Sequence, residues 1–219
     1  INVCITGEIE DSLYIKRSGA SVSDVIFVTG TLGDSAMGLE ILRKSQKSEI
    51  RSQKSGDRRE TSKNHKILGC SIWGSNEEFL IRRHLMPQPR IKEGRTIALN
   101  RLATSMIDIS DGLSSDLWHI CEESGVGAEI YSTSIPLSDE LREIAEKSGC
   151  NPIWYALNGG EDYELLFTAP EGLAGEVTKR LSATIIGKIL PVDAGVTIVD
   201  SKGKRNKLMA GGYDHFKKS

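Results

Sequence analysis

Cysteine is scarce and scattered in this chain. Cys4, Cys70, Cys121 and Cys150 form no C-x-x-C pair and have no histidine cluster beside them. That excludes a zinc-finger type of site and a dense disulfide framework, and a reducing cytoplasm is the expected setting. Long apolar runs are missing too: no stretch reaches the roughly 18–20 residues of a membrane span, and no basic-then-apolar signal opens the chain. No membrane association is expected. The sequence has no G-x-S-x-G elbow, no cysteine in a recognisable nucleophile setting and no grouping among its four histidines, so a catalytic triad has no support. A global excess of positive charge is also absent, the net charge being −2. The basic residues that exist are concentrated between Arg43 and Lys66, with nine Lys/Arg against three Asp/Glu and no aromatic to stack on a base. A nucleic-acid partner is therefore not expected.

What is present is glycine and acidic residues at turns. The 219 residues include 22 glycines, about one in ten against a typical ~7%, and the 38% hydrophobic content is that of a globular protein with a sizeable core. Ile1–Gly7 reads as a strand already under way with no starting Met, as if an N-terminal part were missing. Arg17-Ser18-Gly19-Ala20 is a turn. Val25–Gly30 is a β-branched run of the kind found in buried strands, and it feeds Gly30-Thr31-Leu32-Gly33-Asp34-Ser35 and a helix predicted over residues 35–43. The glycine turn fits phosphate contact or a plain tight connection, but it matches neither G-x-G-x-x-G nor the P-loop. Residues 44–66 repeat Ser-Gln-Lys-Ser and contain few apolar side chains, which predicts a disordered insertion.

Helices are predicted over 76–85 and 90–102, separated by Pro87 and Pro89, and the Arg82-Arg83-His84 group reads as a solvated helix face. A strand over 106–109 leads into a helix over 113–124, in which His119 reads as structural. Further on come a strand over 128–131, helices over 138–147 and 152–157, a helix over 172–181, and strands over 184–189 and 196–199. Short connections between alternating helices and strands predict an α+β fold, layered, with a mixed β-sheet covered by helices, because some neighbouring strands look hairpin-linked.

The chemistry-bearing stretch is Ser105-Met106-Ile107-Asp108-Ile109-Ser110-Asp111-Gly112-Leu113. It ends an apolar strand with two carboxylates and a hydroxyl on one tight turn. Oxygen donors so gathered suit Mg2+ and its phosphates, while Ser110 or Asp111 could equally cap the helix that follows. A second acidic turn, Asn158-Gly159-Gly160-Glu161-Asp162-Tyr163-Glu164, precedes the apolar Leu165-Leu166-Phe167. Glycine-rich acidic turns fit metal-phosphate binding better than the raised-pKa acid of a glycosidase. Phosphoryl transfer asks for positioning and charge neutralisation and needs no protein nucleophile.

Five motifs, in order, carry a resemblance: Arg17-Ser18-Gly19-Ala20, Val28–Ser35, Ile107–Leu113, Gly159–Leu165 and Gly212-Tyr213-Asp214-His215-Phe216. The chain resembles the C-terminal two thirds of the thiamine-monophosphate kinases, within the aminoimidazole ribonucleotide synthetase-like superfamily, over nearly its whole length except residues 44–66. The resemblance implies an aminoimidazole ribonucleotide synthetase C-terminal-domain-like fold, with residues 1–22 ending an N-terminal domain and 23–219 forming the C-terminal one. It implies ATP-dependent phosphorylation of thiamine monophosphate to thiamine diphosphate, with Mg2+ held by Asp108 and Asp111. Ser110 and Arg17 would contact ATP, and Glu161 and the Tyr213 ring would contact the substrate. It implies a homodimer formed through the missing N-terminal domain, and a fragment inactive alone. A non-catalytic nucleotide- or metal-binding module, or a sister enzyme acting on another phosphate acceptor, are the alternatives. The family's Gly-Asp before the Val25 strand is Ser23-Asp24 here.

Overall fold

The computed structural model describes residues 4, 6–10, 13–54 and 74–209. In chain order the elements are β1 (Val25–Thr29), α1 (Asp34–Lys54), α2 (Ser75–Leu85), α3 (Ile91–Leu99), β2 (Ser105–Asp108), α4 (Leu113–Ser124), β3 (Gly127–Tyr131), α5 (Asp139–Ser148), α6 (Pro152–Asn158), β4 (Leu165–Ala169), α7 (Ala174–Arg180), β5 (Ala183–Leu190), β6 (Val196–Val199) and β7 (Arg205–Lys207). The strands form one mixed sheet in the order β2-β4-β1-β5-β3-β6-β7. Among the described residues only β3 and β6 run parallel; the other neighbours are antiparallel.

The β-branched run of β1 lies inside the sheet, between β4 and β5, so both of its faces need apolar side chains. Alternation divides them. Ile26 and Val28, with Leu166 of β4, enter the larger core together with Leu80 of α2, Leu117 of α4 and Leu141 of α5. Phe27 and Phe167, directly paired across β1 and β4, point to the other face and meet Ile97 of α3 and Val177 of α7. Their rings stack with centroids 5.1 Å apart and an interplanar angle of 10°. Helices thus cover both faces, as the sequence predicts.

The structure corrects several local expectations. Helix α1 continues past Arg43 to Lys54, through the first part of the segment expected to be disordered. Its Lys, Gln, Glu and Arg residues are good helix formers, and a Glu40–Lys44 ion pair one turn apart supports the helix at this point. Residues 55–66 of that segment lie outside the described residues. The sheet is mixed for a reason other than frequent hairpins: β5 and β6, consecutive in the chain, are separated by β3, and β6–β7 is the hairpin. Cys4 and Thr6–Glu10 belong to no strand, and the rest of the predicted opening strand lies outside the described residues. The helix predicted over 172–181 begins as a 3-10 turn, Glu171–Leu173, before α7.

Entering β1, Ser23 has φ 80°, in the left-handed region where a Cβ is penalised. The resemblance places glycine at this position. Ser23→Gly is expected to stabilise the protein by up to about 1 kcal/mol, since relief of the strain outweighs the added flexibility of the unfolded chain. A higher urea midpoint at unchanged slope is the expected result; an unchanged or lower midpoint rejects it.

Candidate functional site

Antiparallel pairing of β2 with β4 sets Asp108 opposite Leu165, so the end of β2 and the start of β4 share one sheet edge. The two acidic turns meet there. The Ile109 N–H donates to the Glu164 carbonyl (2.8 Å), the Tyr163 N–H to the Ile109 carbonyl (2.9 Å), and the Glu161 N–H to the Ser110 carbonyl (2.9 Å). The approach is close enough that a Cβ on Gly160 would stand 2.1 Å from the Ser110 carbonyl oxygen, so glycine is needed there for the turns to touch. Glu161 and Tyr163 take φ 67° and 52°. Strained non-glycine backbone of this sort persists where surrounding contacts fix it. The Tyr163 hydroxyl donates to the exposed Glu161 carboxylate at 2.8 Å, and that bond is the main cause of its raised pKa.

Behind the first turn stands Asp116, in the first turn of α4 and 1% exposed. One of its oxygens accepts the Ser110 N–H (3.1 Å) and the Asp111 N–H (3.2 Å). Burial pushes its carboxyl up to about 6, against the pull of those two donors and with the Asp111 charge adding to the rise. Asp111, Asp116 and His119 each bring a ligand atom within 4.8 Å of the others. The carboxylate oxygens fit a hard cation such as Mg2+, and the imidazole fits it less well. Asp108 ends β2 with its side chain exposed and is not part of that group.

Ser110, Asp111 and Glu161 line a cleft of about 660 Å³ whose other walls come from α1, α2 and α6. From α2 comes His84, whose Nδ1 shares a hydrogen bond with the Ser35 hydroxyl (3.0 Å). Burial lowers the His84 pKa. From α6 comes Trp154, 56% exposed at the cleft, followed by Tyr155, whose hydroxyl donates to Glu40 of α1.

Two buried carboxylates fix this arrangement from beneath. Asp162, expected to contribute a metal-seeking oxygen, instead accepts the Gly33 N–H (2.7 Å) and Ser35 N–H (3.2 Å). Burial pushes it up to about 7. These are N–H groups of the Gly30–Ser35 turn and the start of α1. The structure therefore favours the tight-connection reading of that turn over phosphate contact. Glu164, with a fully buried side chain, receives two bonds from Arg90 (2.6 Å each), one from Arg83 (3.0 Å) and one from the Thr29 hydroxyl (2.7 Å).

Of the residues proposed from the sequence, Ser110, Asp111 and Glu161 come together on the cleft, and Asp108 stands at the end of the same strand. Arg17 is exposed and does not line the cleft; its neighbour Lys16 runs beside β2, its carbonyl accepting the Met106 N–H. Tyr213 lies outside the described residues. The expectation of a solvated helix face at Arg82-Arg83-His84 holds for Arg82 alone, because Arg83 pairs with Glu164 and His84 faces the cleft. His119, read as structural, stands in the Asp111–Asp116 group. Asp116, His84 and Trp154 join the site without having been legible as site residues in the sequence. Asp116 carries one available signal, since an acidic residue in the first turn of a helix can reach back to the preceding turn.

A thiamine-monophosphate kinase from Aquifex aeolicus is 38% identical over 216 residues, which is 99% of this chain and 58% of the relative. The Escherichia coli K12 thiamine-monophosphate kinase is 39% identical over 207 residues, 92% of this chain and 55% of its own length. The solved structure of AaThiL complexed with AMPPCP and TMP superposes with a TM-score of 0.71 at 38% identity, covering 92% of this chain and 54% of that one. The chain thus spans somewhat over half the length of the relatives it matches. Among the described residues no helix is long and apolar enough to cross a membrane. The family "AIR synthase related protein, C-terminal domain" matches residues 21–200, and the chain belongs to that family.

Proposed function

We propose that this chain is the C-terminal part of an ATP-dependent kinase that phosphorylates thiamine monophosphate to thiamine diphosphate. The observation that carries the reading is the meeting of the Asp108–Gly112 turn with the Gly159–Glu164 turn at one cleft, held by three backbone hydrogen bonds. A phosphate monoester oxygen is already ionised near neutral pH, so it attacks the γ-phosphorus of ATP without a strong protein base. The new P–O bond forms as the bond to the β-phosphate oxygen breaks, and ADP leaves with that electron pair. Asp108 and Asp111 would hold Mg2+, which would screen the repulsion between the two anions. Ser110 would contact ATP from the cleft, and the resemblance gives Arg17, which stands outside the cleft lining, a contact to the ATP phosphates. Glu161 faces the cationic thiazolium, and the Tyr213 ring packs on the heteroaromatic part of the substrate.

The test uses the protein at its full natural length with ATP, Mg2+ and thiamine monophosphate. Stoichiometric ADP and thiamine diphosphate are expected. Neither product at high enzyme concentration sinks the proposal, and another phosphate acceptor turning over in its place assigns the site to a sister reaction.

A further inference from the structure

We propose that Asp116 is a positioning residue that aims Ser110 and Asp111 through their backbone, its charge not being used to bind the cation. The inference rests on the reading of Asp111 as a metal ligand. Both sides of the turn have partners. Its outward carbonyl, at Ser110, accepts from Glu161, and its two inward N–H groups, at Ser110 and Asp111, both donate to Asp116 Oδ2. The 109–111 turn is therefore held on one side by the Gly-Gly turn and on the other by the first turn of α4. Without Asp116 the two N–H groups have no acceptor, and the hydroxyl and carboxylate beside them lose the anchor of their peptide planes.

Asp116 could instead be a direct ligand, since it stands with Asp111 and His119 in one group. The geometry favours positioning. Both bonds end on Oδ2, so that oxygen is committed to the turn, and a cation would have to reach the other oxygen of an almost wholly buried side chain. The side chain is 1% exposed, whereas Asp111 of this group, with Ser110 beside it, lines the cleft. Helix α4 is rigidly seated, with Leu113, Leu117 and Ile120 in the core, so the acceptor oxygen is held as firmly as the helix. Groups of this kind behind a ligand typically change metal affinity 10–100-fold when removed.

Two conservative variants separate the roles. Asp116→Asn has no charge but keeps one oxygen where both N–H groups can reach it; Asp116→Glu keeps the charge but carries the oxygen forward by a methylene. A positioning role predicts that the full-length Asn variant keeps its half-saturating Mg2+ concentration within about threefold of the wild type. It also predicts that the Glu variant needs at least about tenfold more Mg2+. Loss in the Asn variant with retention in the Glu variant, or equal behaviour of the two, overturns the proposal. Amide hydrogen exchange at Ser110 and Asp111 gives a readout independent of turnover. Both amides should be protected in the wild type and in Asp116→Asn and fast in Asp116→Glu, and the opposite order likewise overturns it. If the wild type shows no kinase activity, the exchange result still decides the clamp, and the proposed function alone has failed.

Discussion

Asp111→Asn is expected to lower turnover at saturating ATP and thiamine monophosphate by about 10²–10³-fold, roughly 3–4 kcal/mol of transition-state stabilisation, with little change in stability. The side chain keeps its shape and loses its charge. Its backbone N–H still donates to Asp116, so the turn is not released. The folded state should even gain slightly, because the Asp111 charge is one of the causes that raise the Asp116 carboxyl. The measurement is kcat across a Mg2+ titration beside a thermal midpoint on the same preparation. A midpoint that falls in step with activity would make Asp111 a structural residue and remove the strongest argument for a cation at this turn. Higher Mg2+ should recover part of the lost activity if the remaining donors still bind, whereas a residue acting only on packing would give no such recovery.

Local patterns were readable from the sequence where their cause is local. The β-branched run of β1 and the helix from Leu113 to Ser124 lie where the pattern puts them. Both acidic turns were readable as turns. What the sequence did not show is long-range pairing. Nothing near Ser110 says that its carbonyl will accept from Glu161, because that contact follows from β2 pairing with β4 across the intervening α4, β3, α5 and α6. Glu164 shows the same limit: its arginine partners lie 81 and 74 residues earlier in the chain, on α2 and just before α3, so it reads as one more acid in an acidic turn. The β7 strand was missed because Arg205-Asn206-Lys207 has no apolar alternation; it is an exposed edge, where charge is tolerated and guards against further pairing. The length of α1 was missed because polar residues were read as disorder, although Lys, Gln, Glu and Arg all favour helix when nothing breaks it.

Glu164→Ala should be the most destabilising single change at the site, by about 3 kcal/mol or somewhat more. Breaking a buried ion pair costs about 3–5 kcal/mol because the partner is left charged and unpaired. Here the partners are Arg83 and Arg90, 16% and 28% exposed, and each keeps a second carboxylate, Asp34 at 3.5 Å and Glu93 at 3.7 Å, so water and these acids take up part of the loss and the lower end applies. The Thr29 hydroxyl loses its acceptor as well. Because Arg83 and Arg90 hold α2 and the start of α3 against β4, His84 should also lose its fixed place on the cleft. Glu164→Gln, which keeps one acceptor oxygen, should cost less. The pH dependence gives the variant its signature. Burial by itself would raise the Glu164 carboxyl, but Arg90, Thr29 and Arg83 outweigh it and hold the folded-state value beneath the ordinary carboxylate one. The unfolded state therefore takes up its proton first as pH falls, so the stabilisation is fully present above the unfolded pKa and is lost as pH drops through the folded one. Urea denaturation at stepped pH should show the difference between wild type and Glu164→Gln shrinking once pH passes beneath about 4.3, the usual glutamate value. Asp162 has the opposite sign, its folded value being raised to about 7, so its own contribution falls as pH rises from the ordinary carboxylate range toward neutrality. It is common to both proteins and cancels in the comparison. A gap that stays constant down to pH 3 would mean that the charge on Glu164 contributes nothing to holding α2 and α3 against the sheet, and that the arginines are placed by packing alone.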